Sequence, residues 1–205
     1  KLQLNALLDQ FKIAQAARKD LHLLDNISFK GNLSGDKNNL TVKDLSFNFA
    51  DKLKGKTSVV VKDFAKPSYS GSLDLEKFNL NQLLDSLNIA VAARKNKPLL
   101  NNFAISSNGF SGDMQNISLK GLQISAGDSL KASFGTLRVQ NFSNPSVSGD
   151  VSLPTFNLNQ TLDGLGIAVA ERKNKSLLNS FAFSGGFNAT PTAANLSNVK
   201  ISAGG

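Results

Sequence analysis

Asn79-Leu80-Asn81-Gln82-Leu83-Leu84-Asp85-Ser86-Leu87 decides how this chain is built. The stretch returns as Asn157-Leu158-Asn159-Gln160-Thr161-Leu162-Asp163-Gly164-Leu165, and in altered form as Leu4-Asn5-Ala6-Leu7-Leu8-Asp9 behind Gln3. Asp9 to Asp85 spans 76 residues and Asp85 to Asp163 spans 78. Arg18, Arg94 and Arg172 follow their aspartates by nine places, and Leu23, Leu99 and Leu177 by fourteen. Self-similarity at a fixed period marks a stack of units, each burying its apolar face against its neighbours. Residues 1–205 therefore read as one array, with a partial repeat over 1–78, a repeat over 79–156 and a partial repeat over 157–205. Both chain ends fall inside a unit, which suggests a piece of a longer protein.

Within the unit, the quoted stretch reads as a short helix. Asn79 and Asn157 are N-caps with Gln three residues on. Leu80, Leu83, Leu84 and Leu87 fall at i, i+3, i+4 and i+7, so they make one apolar stripe. Asn88 and Gly166 tolerate the left-handed conformation that ends a helix. A second apolar piece, Ile89–Ala93 or Ile167–Ala170, reads as helical and runs into the basic segment Arg94–Lys97 or Arg172–Lys175.

Four strands follow in each unit. The first, Ile27–Leu33, matches Phe181–Phe187 and alternates apolar with polar residues, the period of a half-buried strand. Its middle copy, Phe103–Phe110, carries one extra residue near Asn108. In the second strand the alternation slips by one at the same place in each copy. Leu40 and Val42 give way to Leu45, Phe47 and Phe49; Ile117 and Leu119 give way to Leu122 and Ile124; Leu196 gives way to Val199 and Ile201. Asp44, Gly121 or Asn198 stands at the slip, all residue types that tolerate positive φ. A β-bulge there returns the apolar set to one face, whereas a slip without one throws half the strand to the other side. The third strand is Leu53–Phe64 or Leu130–Phe142. The fourth follows Pro67 or Pro145 and ends at Leu75 or Leu153. Short turns such as Ser34-Gly35-Asp36 and Ala126-Gly127-Asp128 make an antiparallel meander.

The expected fold class is thus mainly β: an elongated, curled antiparallel sheet of ~77-residue units, with a short amphipathic helix at each junction. Four strands cover ~19 by ~27 Å, or ~500 Å² of apolar face per unit. A helix of about ten residues hides only ~150 Å². So large an apolar patch needs a cover. The sheet curls until the face packs on itself, the second apolar piece covers it, or it forms a trough for an apolar ligand.

Composition narrows the chemistry. The chain has no Cys and a single histidine, His22, which leaves no disulfide, no thiolate site and no multi-histidine metal site. There is no nucleophile elbow or phosphate loop, and Asp9, Asp85 and Asp163 recur once per unit, as structural residues do. An enzyme and a cofactor are not expected. The net charge of +8 rests mainly on lysine. With four Arg, no Trp and one Tyr, the forks and stacking platforms of nucleic-acid readers are missing, so nucleic acid is not an expected partner. No stretch approaches the ~18 apolar residues of a membrane span.

The order Pro67, Gly71, Leu73, Leu75, Phe78, Leu80, Leu83, Leu84, Leu87 returns as Pro145, Gly149, Val151, Leu153, Phe156, Leu158, Leu162, Leu165. This pattern resembles the repeat of the AsmA-like family, which is related to the TamB-like proteins. The segment Asp128–Val139 and the second strand fit the same resemblance, which covers essentially the whole chain. It implies a periplasmic protein of a Gram-negative envelope, anchored in the inner membrane by an N-terminal helix outside this sequence. It also implies a long β groove that passes phospholipid toward the outer membrane, with inner- and outer-membrane proteins as partners at its ends. The residues expected to line the groove are Phe29, Leu33, Val42, Leu45, Phe47, Val59, Val61, Leu73, Ile105, Phe110, Leu119, Leu122, Ile124, Leu137, Val139, Val151, Phe183, Val199 and Ile201. Arg94, Lys95, Lys97, Arg172, Lys173 and Lys175 are candidates for attracting anionic head groups. Solvated helix ends are the plainer reading of those basic runs. The alternative function is a structural scaffold for outer-membrane assembly, its face filled by its own side chains. Lys30, Lys43, Lys62, Lys120 and Lys200 are expected on the opposite, polar face, where they hinder misassociation.

Overall fold

The structure, a computed structural model, describes residues 26–86, 98–167 and 176–204. Ten strands run in sequence order through a single open sheet, each pairing antiparallel with the next. They are β1 (Ile27–Gly35), β2 (Asn39–Phe49), β3 (Leu53–Lys62), β4 (Ser68–Leu75), β5 (Phe103–Asp113), β6 (Ile117–Ala126), β7 (Leu130–Gln140), β8 (Ser146–Phe156), β9 (Phe181–Thr190) and β10 (Ala193–Ala203). Pro67 and Pro145 stand immediately before β4 and β8, where the missing N–H costs no ladder bond. The first strands run further than the alternation alone suggests. Gly35, Asp113 and Thr190 close them because the polar turn residues stay in the ladder.

The slip in each second strand is a residue in the left-handed region: Asp44 at φ 52°, Gly121 at 57° and Asn198 at 49°. In β2 the pairing steps from Lys30↔Ser46 to Asn32↔Lys43, so one residue is inserted opposite Gly31. In β10 it steps from Gly186↔Ser197 to Ser184↔Lys200. In β6 the insertion causes no register shift with β5, because β5 carries its own extra residue between Ser106 and Gly109. That extra residue instead appears as a shift against β4, where Gly71 faces Phe110 and Leu73 faces Ser107. β7 also holds an extra residue at Gly135 and Thr136, which stays in step with Gly121 and shifts against β8.

Among the described residues two short α-helices sit at one end of the strands: α1 (Leu80–Ser86) and α2 (Leu158–Gly164). α2 has seven residues rather than about ten, because the chain turns at its C-cap, whereas the described part of α1 stops at Ser86. Asn79 Oδ1 accepts from the Gln82 N–H at 3.0 Å and Asn157 Oδ1 from the Gln160 N–H at 3.0 Å. α2 ends in Gly166 at φ 64°, with the Ile167 N–H donating to Leu162 O and the Gly166 N–H to Asp163 O. This is the Schellman closure that glycine permits. Asn88, Leu87, most of both second apolar pieces and the helix expected near Asp9 lie outside the described residues.

Leu83 of α1 and Phe78 are buried together, packed against Phe49, Leu53, Leu75, Leu80 and Phe103. Lys52 Nζ donates to Ser86 Oγ at 2.6 Å, and Ser86 Oγ donates to Gln82 O at 2.7 Å, which ties the helix to the β2–β3 turn. Asn81 Nδ2 donates to Asn101 Oδ1 at 2.9 Å, and Asn159 Nδ2 to Asn179 Oδ1 at 3.0 Å. Both acceptors lie in 3₁₀ turns, Pro98–Asn101 and Ser176–Asn179, that lead into β5 and β9. Of the buried hydrophobic residues among those described, Ile27, Phe78, Leu83, Leu99, Ala126 and Phe156 lie at this end of the sheet, and Leu122 lies in mid-strand at the bulge of β6.

Candidate functional site

Antiparallel register carries a face from strand to strand. From β1 to β10 the pairings Leu33↔Val42, Val42↔Val59, Phe110↔Leu119, Leu119↔Leu137 and Phe183↔Ile201 keep apolar residues on the same side. The pairings Thr57↔Leu73, Leu73↔Ser107, Phe134↔Val151 and Val151↔Gly185 join the two halves of that face. All nineteen residues expected to line a groove fall on it. Leu122 is buried; Val42, Leu45, Phe47, Val59, Val61, Leu73, Ile105, Phe110, Leu119, Ile124, Leu137, Val139, Val151 and Phe183 are half-buried. Phe29, Leu33, Val199 and Ile201, on the two outer strands, are exposed.

The bulges hold this face together. Without an inserted residue at Asp44, Leu40 and Val42 lie on the opposite side from Leu45 and Phe47. Glycine does the same work where rings lie flat. A Cβ at Gly71 meets the Ser58 carbonyl oxygen and stands 2.7 Å from the Phe110 ring, so only glycine lets that ring cover the strand. Ring pairs spread across the face: Phe47 with Phe49 at 5.4 Å, Tyr69 with Phe110 at 6.3 Å and Phe134 with Phe187 at 6.4 Å between centroids.

Polar groups on the face are tied to backbone. Thr57 Oγ1 donates to Ser72 O at 2.7 Å. Ser107, 6% exposed, reaches Gly109 O and Lys120 O, both at 3.0 Å. These hydroxyls are therefore engaged with backbone, and the face is chemically apolar.

Sequence reasoning left out Phe134, Phe187 and Tyr69, which belong to the same face. Phe134 was hidden because the alternation of β7 slips at Gly135 and Thr136, and that glycine was the available signal. Ten strands at ~4.8 Å and ~3.4 Å per residue make a face of roughly 1,500 Å². Among the described residues, two short helical segments cover ~100 Å² each, at one end only. The area exceeds the few hundred Å² that a solvated monomer leaves open.

The opposite face is polar and basic. Register places Lys30, Lys43, Lys62, Lys120 and Lys200 on it, as expected. Its rows are filled largely by serine, as in the run Ser68, Ser70, Ser72 of β4 and Ser146, Ser148, Ser152 of β8. Lys54 pairs with Asp51 at 3.1 Å and Lys77 with Asp128 at 3.7 Å, both exposed and so worth little. At the far turns Asp36 accepts from the Asn38 and Asn39 amides and from the Asn39 side chain, and Asp113 repeats this with Gln115 and Asn116. These bonds, led by the backbone amides of Asn38 and Gln115, hold both carboxyls below the ordinary 3.8.

Arg94, Lys95, Lys97, Arg172, Lys173 and Lys175 lie outside the described residues, as do Asp9 and His22. Among the described residues no group of three His, Cys, Asp or Glu is placed to hold a metal, and no helix is long and apolar enough to cross a membrane. No protein-family model matches the chain, and neither a curated protein nor a solved structure does.

Proposed function

We propose that the apolar face binds the acyl chains of phospholipid and lets them pass along the sheet. The observation that carries this reading is the run of apolar side chains across ten strands, exposed on the two outer ones and mostly half-buried on the others, with cover at one end only among the described residues. Such a face favours an apolar guest over water by ~25 cal/mol per Å² covered. Its units repeat at about 77 residues, so successive stretches offer near-equivalent contacts and no single deep trap. Movement along it is then passive.

In this reading the sheet curls into a groove, head groups stay at its open seam, and the basic runs near Arg94 and Arg172 attract them. The chain acts as an AsmA-like segment in the periplasm, belonging to a protein held in the inner membrane by an N-terminal helix. Inner- and outer-membrane proteins meet its two ends. The test is native mass spectrometry with lipid extraction on protein purified without detergent. Co-purifying phospholipid, lost in Phe47→Glu and Ile124→Glu variants that stay folded, is the expected result. A lipid-free protein whose charged variants unfold makes the face an ordinary core and overturns the proposal in favour of the scaffold.

A further inference from the structure

Charge is divided unevenly between the two faces. The five lysines already placed on the polar face share it with Lys54, Lys56, Lys131 and Arg138. Against them stand the carboxylates of Asp44, Asp74 and Asp150, and that of Asp113, which its own turn engages. Among the described residues, Lys54 is the one of these cations held in an ion pair. Three depressions run end to end over the same face. One of about 670 Å³ lies between Asp44, Lys56, Ser72 and Asn108, the next of about 430 Å³ between Asp74, Gln123, Lys131 and Pro154, and the third of about 340 Å³ between Ser133, Asp150, Ser184 and Lys200. Asp74 and Ser106 belong to the first two and Ser133 to the last two, so the three make one trough. Its floor is a single register row from Lys56 through Asp74, Ser106, Ser133 and Ser184 to Lys200, where serine is too short to fill the space between longer side chains. From β2 to β10 the trough is ~38 Å long at ~4.8 Å per strand.

We propose that this trough binds an acidic polysaccharide. The excess of positive charge selects an anionic partner, and the length of the trough selects an extended one. The lining then separates the polyanions. Stacked bases need aromatic platforms and a bilayer surface needs apolar side chains to insert, whereas among the described residues the strands carry no aromatic ring on this face. A chain of phosphates alone is repelled by Asp44, Asp74 and Asp150. A sugar acid finds both of its partners: its hydroxyls donate to those carboxylates and to serine, and its own acid groups accept from Lys56, Lys131 and Lys200. Each depression holds at least one lysine and one carboxylate, which matches a polymer that repeats the two functions along its length. The site lies on the face opposite the apolar run and is independent of what that run binds.

Isothermal titration calorimetry with oligogalacturonate, a chain with one carboxylate per sugar, tests this on the 205-residue protein. Binding at low salt that weakens as salt rises is expected, with neutral dextran inert. Lys56→Gln with Lys131→Gln weakens it by about tenfold. Asp74→Asn with Asp150→Asn weakens it too, although the change adds positive charge, while that same variant binds polyphosphate more tightly than the wild type does. All four sites are exposed, and circular dichroism checks the fold. No binding at low salt, tighter binding of oligogalacturonate by the aspartate variant, or a wild type that prefers polyphosphate overturns the proposal. Lysine acetylation of the wild type gives a reading that needs no variant. Oligogalacturonate slows it at Lys56, Lys131 and Lys200 and leaves Lys37 and Lys66, at the far turns, unchanged. Equal slowing at all five, or stronger protection of the three by phosphatidylglycerol vesicles, contradicts the site.

Discussion

Gly121 offers a sharp test of how the apolar face is assembled. It sits at φ 57° in the bulge of β6, between Leu119 and Leu122, and its equivalents Asp44 and Asn198 adopt the same region. An alanine in that conformation costs about 1–2 kcal/mol, and asparagine, which bonds locally and visits this region, costs less than about 1 kcal/mol. Valine, whose branched Cβ crowds the following carbonyl, costs about 2–3 kcal/mol. The new Cβ also meets the Asn108 side-chain amide, but Asn108 is exposed and rotates away, which adds little. For a chain of this size each kcal/mol moves the melting temperature by about 2–4 °C. Gly121→Asn, Gly121→Ala and Gly121→Val thus fall in that order in urea unfolding, with unchanged m-values. Gly135→Ala is the control. Nothing lies within 4 Å of its Cβ position and its φ is not positive, so it leaves stability level or slightly raised. If Gly121→Val matched Gly121→Asn, no left-handed residue would interrupt β6, and Leu119 and Leu122 would not share a face.

Three further outcomes follow from local geometry. Gly71→Ala drives a methyl into the Ser58 carbonyl and the Phe110 ring, and lowers unfolding free energy by about 2–4 kcal/mol in urea titration. Asn157→Ala removes the cap on α2 and costs about 1 kcal/mol in the same titration, while Asn157→Ser costs less. Asp36→Ala with Asp113→Ala weakens both far turns. Because the folded carboxyls titrate below 3.8, their contribution is complete above that value and fades as pH falls through the lower folded pKa. Thermal melts therefore show the double variant below the wild type near neutral pH, with the gap narrowing in acid.

Much of this architecture was legible in the sequence because period-2 alternation is a direct consequence of strand geometry. Leu40, Val42, Leu45 and Phe47 announced both a strand and its bulge, since no uninterrupted strand keeps all four on one side. Pro67 and Pro145 marked where β4 and β8 begin, and Asn79 and Asn157 marked the N-caps of α1 and α2. What was hidden is where insertions offset one another. The extra residue of β5 cancels the bulge of β6, and that of β7 stays in step with it. Cancellation is a property of neighbouring strands, so it is invisible along any one of them. Phe134 was left out of the face because β7 slips at Gly135 and Thr136, although its ring meets that of Phe187 at 6.4 Å. The shortness of α2 was hidden too, because Gly166 alone does not show that the turn closes as early as Leu165.

The central claim is that one face of the sheet meets lipid and the other does not. Photo-crosslinking in cells tests it at adjacent residues of one strand. Ile124 pairs with Ile105 on the apolar face, while Gln123 pairs with Ser106 on the polar one. A photoreactive side chain at Ile124 is predicted to capture phospholipid, and the same group at Gln123 to capture none. Equal capture at both positions, or none at Ile124 in a folded protein, contradicts the account.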